Sequence, residues 1–333
     1  MAIVAACLGI GLAACGGSGP PARVGPFYVF EWRVDSGEGG TGGTTVSRDI
    51  WRQDLDGSGA PPTRLTGPYG THAYWRDPSI SPDGTRIACV GVDVTAGGEA
   101  HVFTMTSNGF TIQQLTFGHV QDSDPQWSPD GSRIAFSSDR AAPEGTVGGL
   151  RSIWTMRSGD GGGLWRVTTP PDGSALGDTG PAYSPDGYRI AFQRLVVGVD
   201  SNIWVTNSFI GGLKQLTHWS GPEVDPAWKP DGTKIAYAST LLGDGGFRIF
   251  QMNPDGTSPT ITDPDPTADG GTVSNFRPTW TSDGARIWFV RRWEPGNIQG
   301  DQSIYSTTSG GIGLTLGFGP LLPDDVDNPD VHP

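Results

Sequence analysis

The chain has 333 residues and a formal net charge of −13, with 52 glycines, 28 prolines and three cysteines. The acidic balance argues against a nucleic-acid or anionic-membrane footprint and leaves basic partners, cations or plain solubility. Glycine and proline at this level are turn chemistry repeated along a folded chain, and the cysteines offer no disulfide framework.

Residues Ala2 to Ala14 are small and apolar and end in Leu12-Ala13-Ala14-Cys15, a cleavage site directly before a cysteine that can accept lipid. The pattern predicts a signal peptide over 1–14 and lipidation of Cys15, although no Lys or Arg precedes the apolar run. That run is shorter than the roughly eighteen residues a membrane span needs. Residues 15–26 are mostly Gly, Ser and Pro with one charge, Arg23, and read as a flexible tether. Cys7 falls in the leader, and Cys89, where other repeats carry Phe or Tyr, reads as a small buried hydrophobe.

From residue 27 onward the chain repeats itself. Asp124-Pro125-Gln126-Trp127-Ser128-Pro129-Asp130-Gly131 leads into Ile134-Ala135-Phe136, and variants begin at Asp77, Gly180, Asp225 and Arg277. The turn aspartates Asp83, Asp130, Asp186, Asp231 and Asp283 lie 47, 56, 45 and 52 residues apart. Such a period means a propeller or a solenoid. Each copy reads as a hairpin: proline presets φ, Asp bonds back to the turn, and Gly takes a left-handed position.

A third strand recurs six times, at Ile50-Trp51, Val102-Phe103, Ile153-Trp154, Ile203-Trp204, Ile249-Phe250 and Ile304-Tyr305. A fourth ends in a hydrophobe-Thr pair, such as Leu65-Thr66, Leu115-Thr116 and Leu216-Thr217. Four strands in each of six units predict an all-β, six-bladed propeller over 27–333. Phe27-Tyr28-Val29-Phe30 lacks a preceding turn, and the C-terminal Asn328 to Pro333 matches an inner strand and stops. One blade is therefore expected to be shared between the two ends, which leaves no open sheet edge.

These motifs resemble the TolB-like propeller repeats, called PD40 or WD40-like, across roughly residues 27 to 333. The Gly-His and Trp-Asp signature of eukaryotic WD40 blades is not evident. The resemblance implies a propeller cousin of TolB without its separate α/β domain, since only about a dozen residues separate Cys15 from the first strand. It also implies a non-enzymatic, lipid-anchored protein of the cell envelope, at the outer membrane or periplasm of an organism that has them, docking a protein or peptide partner. No cofactor, metal or nucleic acid is implied, and a monomer is expected.

Function in a propeller sits on the loops that enter each inner strand. Just before the strand proline stand Asp77, Asp124, Gly180, Asp225 and Arg277; two residues earlier stand Trp75, Asp122, Asp178, Glu223 and Asn275. Two readings follow. The acids form a negative funnel for a basic partner, with Arg277 as counter-charge, or each Asp caps its own loop through backbone amides. His72 and His119 fall in the same loops, but they belong to different repeats and lack metal-ligand spacing. No nucleophile elbow, phosphate loop or His-Glu-x-x-His is present. Paired carboxylates in a channel leave one alternative, a glycan hydrolase or lyase.

Overall fold

The computed structural model describes residues 5–9, 27–36, 45–54, 60–67, 72–95, 97–140, 150–171, 174–196, 200–209, 211–243, 245–262, 272–294, 302–311 and 315–318. Every regular element within them is a strand, and the strands come in groups of four. The first group is β1 (Ala5–Gly9), β2 (Phe27–Ser36), β3 (Thr45–Asp54) and β4 (Thr63–Arg64); the second is β5 (His72–Ile80), β6 (Arg86–Asp93), β7 (Glu99–Thr106) and β8 (Gln113–Gln114). Next come β9 (Asp122–Trp127), β10 (Arg133–Ser138), β11 (Ser152–Arg157) and β12 (Trp165–Arg166), then β13 (Ser174–Tyr183), β14 (Arg189–Val196), β15 (Asn202–Asn207) and β16 (Lys214–Gln215). The last two groups are β17 (Glu223–Trp228), β18 (Ile235–Ser239), β19 (Arg248–Met252) and β20 (Thr260–Ile261), and β21 (Thr272–Trp280), β22 (Arg286–Glu294), β23 (Gln302–Thr308) and β24 (Thr315–Phe318). Each group is an antiparallel meander whose first strands touch in the order β1, β5, β9, β13, β17, β21, with β1 returning to β21. This is a closed β-propeller.

The expectation of six separate blades needs correction. Hydrogen bonding delivers five sheets, one of eight strands and four of four, because the parallel bridge Arg48↔Tyr74 runs β3 into β5. The same link joins later repeats, as Ala100↔Gln121, as Arg151↔Gly177, and as backbone bonds from Glu223 to Ser201 (2.7 Å) and Asn275 to Phe247 (2.9 Å). At the first junction alone both bridged residues fall inside strands. The blade expected to be shared with Asn328–Pro333 cannot be compared, since those residues, like Cys15 and the tether, lie outside the described ones. The strand that pairs with β2 is Ala5–Gly9, from the stretch read as leader, in the register Ala5↔Glu31 to Gly9↔Phe27.

The turn chemistry is as the sequence predicts. Gly84, Gly131, Gly187, Gly232 and Gly284 have φ of 71, 69, 74, 72 and 66°, and each donates its N–H at 2.8 Å to the carbonyl three residues back. Asp130 accepts from Ser128 Oγ at 2.6 Å and from the Ser132 amide at 3.0 Å. Its equivalents repeat the pattern of accepting the amide two residues on. The threonine of each hydrophobe-Thr pair also has a task. Thr66, Thr116, Thr168 and Thr217 accept the N–H of Ile50, Val102, Ile153 and Ile203 at 2.8 to 2.9 Å, extending the pairing where the short fourth strand ends.

Two inner-strand tryptophans, Trp127 and Trp280, fasten one repeat to the one before. Trp127, 4% exposed, donates its indole N–H to the Ser79 carbonyl at 3.1 Å, and Trp280 does the same to Ala227 at 3.1 Å. Arg86 lies over the Trp127 ring, 5.5 Å from its centroid, and covers its outer edge. Trp127→Ala is therefore expected to lose about 3–5 kcal/mol, and Gly131→Ala about 1 kcal/mol because a Cβ strains the left-handed turn. Denaturant melts of both variants check this, and a Trp127→Ala protein as stable as the parent would refute the inter-repeat fastening.

Candidate functional site

From β5 onward each inner strand is broken at the step before its proline, Asp-Pro in three repeats, Gly-Pro and Arg-Pro in the other two. Pairing to the second strand slips there, between Arg76 and Ser79, Thr179 and Ala182, Val224 and Ala227, and Phe276 and Thr279. The residue before each proline is left-handed: Asp77, Asp124 and Asp225 at φ 53, 53 and 54°, Gly180 at 61° and Arg277 at 52°. Proline disfavours the right-handed helical region for its predecessor, and Asp tolerates the left-handed one better than most residues. The resulting bulge re-aims the side chain.

The re-aimed groups meet in a circuit. Asp77 Oδ2 accepts from the Asp124 amide at 3.5 Å, Asp124 Oδ2 from the Gly180 amide at 3.4 Å, and Asp225 Oδ2 from the Arg277 amide at 3.1 Å. Gly180 has no side chain to offer the next repeat. Gln193, across on β14, supplies the acceptor instead, its Oε1 taking the Asp225 amide at 2.9 Å. The Arg277 guanidinium reaches on to Asp77 Oδ1 at 3.4 Å, and Arg76 holds Asp77 Oδ2 at 2.7 Å. The circuit borders a cavity of about 230 Å³ along the axis, walled by Pro78, Pro125, Pro181, Pro226 and Pro278.

The electrostatics are those of a crowded acidic ring with two cations. Burial would raise Asp77, but Arg76 and Arg277 prevail and hold its carboxyl below the usual range. Asp225 is raised, because burial outweighs the pull of Arg277. Glu31, buried beside Arg48 at 3.6 Å, is pushed up to about 7, by burial first and then by Asp77. Burial would lower the Arg277 guanidinium, yet the carboxylates of Asp77, Asp225, Asp124 and Glu31 raise it overall.

The structure divides the predicted site residues. Asp77, Asp124, Asp225 and Arg277 come together at the cavity, both capping backbone amides and facing the axis, so the two sequence readings describe the same atoms. The second row does not join them. Asp122 is fully buried and held by Arg140 through both oxygens, at 2.8 and 2.7 Å, and Asp178 is held likewise by Arg194 at 2.5 and 2.7 Å. Their charge is spent inside the sheets rather than at a funnel. Glu223 is also fully buried; its Oε1 accepts from Ser239 Oγ at 3.3 Å, and burial raises it to about 7. His72 packs edge-on against Phe103 inside its sheet, whereas His119 is exposed and contacts Glu99, so neither reaches the ring. Sequence reasoning missed Arg76, Glu31 and Gln193. The hairpin register was the available signal, since Gln193 pairs with Thr179 directly before Gly180.

A closed ring of four-stranded meanders with Asp-Pro bulges at its axis defines the class, a propeller of tandem hairpin repeats. Residues 171–311 match the model of PD40, the TolB beta propeller domain. The chain is 30% identical over 155 residues to the Tol-Pal system protein TolB of Anaeromyxobacter dehalogenans, covering 46% of this chain and 31% of that one. Among solved structures, TolB from Acinetobacter baumannii superposes with TM-score 0.58 at 19% identity, over 79% of this chain and 58% of that one. Oligogalacturonate lyase from Vibrio parahaemolyticus superposes with TM-score 0.56 at 15% identity, over 88% and 74%. Over residues 171–311 the chain is similar to the TolB-like PD40 propeller family. It spans less than half the length of the curated relatives it matches.

The raised carboxyls set a pH profile. Glu31 and Glu223 keep protons in the folded state that the unfolded chain releases from about pH 4.5, so stability falls as pH rises from there through about 7. Asp77 and the turn aspartates Asp83, Asp130, Asp186 and Asp283 are held low, so stability also falls as pH drops below about 4. The melting temperature is expected to peak near pH 5 and to be lower at pH 8, by roughly 1–3 kcal/mol of stability. Glu223→Gln should flatten the alkaline limb. Equal melting at pH 5 and pH 8 would show that these carboxyls are not buried as described.

Proposed function

We propose that the protein is a non-enzymatic binding module of the cell envelope, lipid-anchored through Cys15, whose channel mouth docks a basic segment of a protein or peptide partner. The ring of Asp77, Asp124 and Asp225 around an axial cavity carries this reading. Its carboxylates are fixed by the backbone of the next repeat, so their geometry is set before a partner arrives. Arg277 supplies one cation within the ring, and a partner's Lys or Arg would complete the neutralisation. Likeness to a Tol-Pal system protein favours an envelope partner over a soluble substrate.

Anchoring implies processing. Cleavage before Cys15 would remove Ala5–Gly9 and open the edge of β2, and the C-terminal Asn328–Pro333, which carries the inner-strand pattern, is then the segment to pair there. Intact mass of the membrane-extracted protein tests this: a chain beginning at a lipidated Cys15 supports it, and one that retains Ala5–Gly9 refutes anchoring.

For the ring, binding of a labelled Lys/Arg-rich peptide is expected to weaken about tenfold or more in Asp124→Asn/Asp225→Asn and to lose most of its salt dependence. Asp231→Asn/Asp283→Asn, the same loss of two charges on exposed turns, should bind like the parent. Equal weakening in both would assign the effect to net charge and remove the ring from the function, and turnover of a glycan by the parent would replace the binding module with an enzyme.

A further inference from the structure

Three sheets hold an internal arginine against their first strand. Arg194 and Arg291 stand directly opposite their acceptors, whereas in β9–β12 the residue opposite Asp122 is Ser138, and Arg140, two residues on, folds back to it. In β13–β16, Arg194 pairs with Asp178 and lies over Phe192 and Trp204, 5.4 and 4.9 Å from their centroids. In β9–β12, Arg140 pairs with Asp122 and lies over Phe136 and Trp154, at 5.0 and 5.8 Å. In β21–β24, Arg291 donates to Asn275 at 3.0 Å and lies over Phe289 and Tyr305, at 5.9 and 4.9 Å. An acceptor on the first strand and two aromatic faces on the second and third make a guanidinium slot.

The β17–β20 sheet has the acceptor and both rings but no arginine, and Leu241, which stands where Arg140 does, packs with Trp219 against the same cluster. Glu223 stands where Asp178 does, and Tyr237 and Phe250 pair as Phe192 and Trp204 do. The residue opposite Glu223, at the position of Arg194, is Ser239. No hydrogen bond of normal geometry reaches Glu223 Oε2 or Tyr237 Oη, although the Thr217 hydroxyl lies near enough to the Glu223 carboxyl to favour its charged form. A buried carboxylate oxygen left in this way is costly, and in two other sheets the carboxylate meets a cation. Trp219 lies parallel to Tyr237 at 6.4 Å and is only partly buried, on the loop that enters β17.

We propose that the corner formed by Glu223, Tyr237 and Phe250 under Trp219 is a binding site for a guanidinium group, the arginine side chain of a protein partner. The arginine displaces Trp219 from Tyr237, accepts the aromatic faces and donates to Glu223 as Arg194 donates to Asp178. A peptide-borne arginine fits better than the free amino acid. The free α-carboxylate would approach Asp200, whose Oδ2 holds the Gly221 amide at 2.7 Å on the same loop, in a chain of net charge −13. The site stands apart from the axial ring and does not require it.

The test is calorimetric titration of the full chain with N-acetyl-L-arginine amide, with free L-arginine and N-acetyl-L-lysine amide as comparison arms. Saturable binding of the blocked arginine is expected, about tenfold tighter than either comparison compound. Ser239→Arg, which gives this sheet the arginine of its neighbour, should abolish binding and raise the melting temperature by a few degrees. Glu223→Gln, of the same shape, should weaken binding about tenfold or more and carries the test if the Arg variant does not fold. Asp124→Asn should bind as the parent does. Absence of saturable binding to the parent overturns the proposal, as does undiminished binding by a folded Ser239→Arg or Glu223→Gln variant. Tighter binding of free arginine would assign the site to a small molecule instead of a protein partner, and loss in Asp124→Asn alone would move it to the ring.

Discussion

A sheet of four short strands has two faces and two edges, and none of these sheets is large enough to bury them alone. The faces are covered only by the neighbouring repeats, and between neighbours the backbone offers little more than a single parallel link at each described junction. Side chains therefore hold the ring together. Trp127 and Trp280 reach backward to a carbonyl of the preceding repeat, and Asp77, Asp124 and Asp225 offer acceptors to the following one. Because each repeat is clamped from both sides, the ring stands or falls as a closed object.

Much of this was legible in the residues. Pro-Asp-Gly turns, the Ile-Ala-Phe returning arm and the hydrophobe-Thr pair gave the meander and its order, since each is local chemistry with a fixed spacing. What was not legible depends on groups that meet across a register or a repeat boundary. Asp122 and Arg140 are 18 residues apart and Asp178 and Arg194 are 16 apart, so nothing local marks them as pairs, and both acids read as surface charge. The left-handed bulge was equally hidden: a sequence shows that Asp precedes Pro, but not that the strand slips there. Only with that slip do capping and facing the axis become one arrangement. The sheet count failed for a different reason, because a single bridge at Arg48 and Tyr74 is enough to fuse two meanders that the repeat keeps distinct.

Function gathers where the fold spends its strain. Five consecutive repeats hold a left-handed residue before proline, in four cases with a side chain that would not choose it. That cost places three carboxylates and one guanidinium around a single cavity. The interior arginine sites do the opposite with the same chemistry, removing charge from the surface and pinning aromatic rings. The acids are thus of two kinds, those bordering the axial cavity and those paired inside a sheet, with Glu223 in neither class.

Gln193 shows what duplication of such a unit conserves. The amide of Asp225 needs an acceptor, and when its expected donor of oxygen became a glycine, a residue on the adjacent strand took over the contact. Inheritance here runs through the interaction rather than the column of an alignment. A comparison of repeats residue by residue would score Gly180 as a loss and Gln193 as noise, while the circuit itself passes through that position intact. Degenerate members of tandem arrays are therefore better judged by which bonds persist than by which letters do.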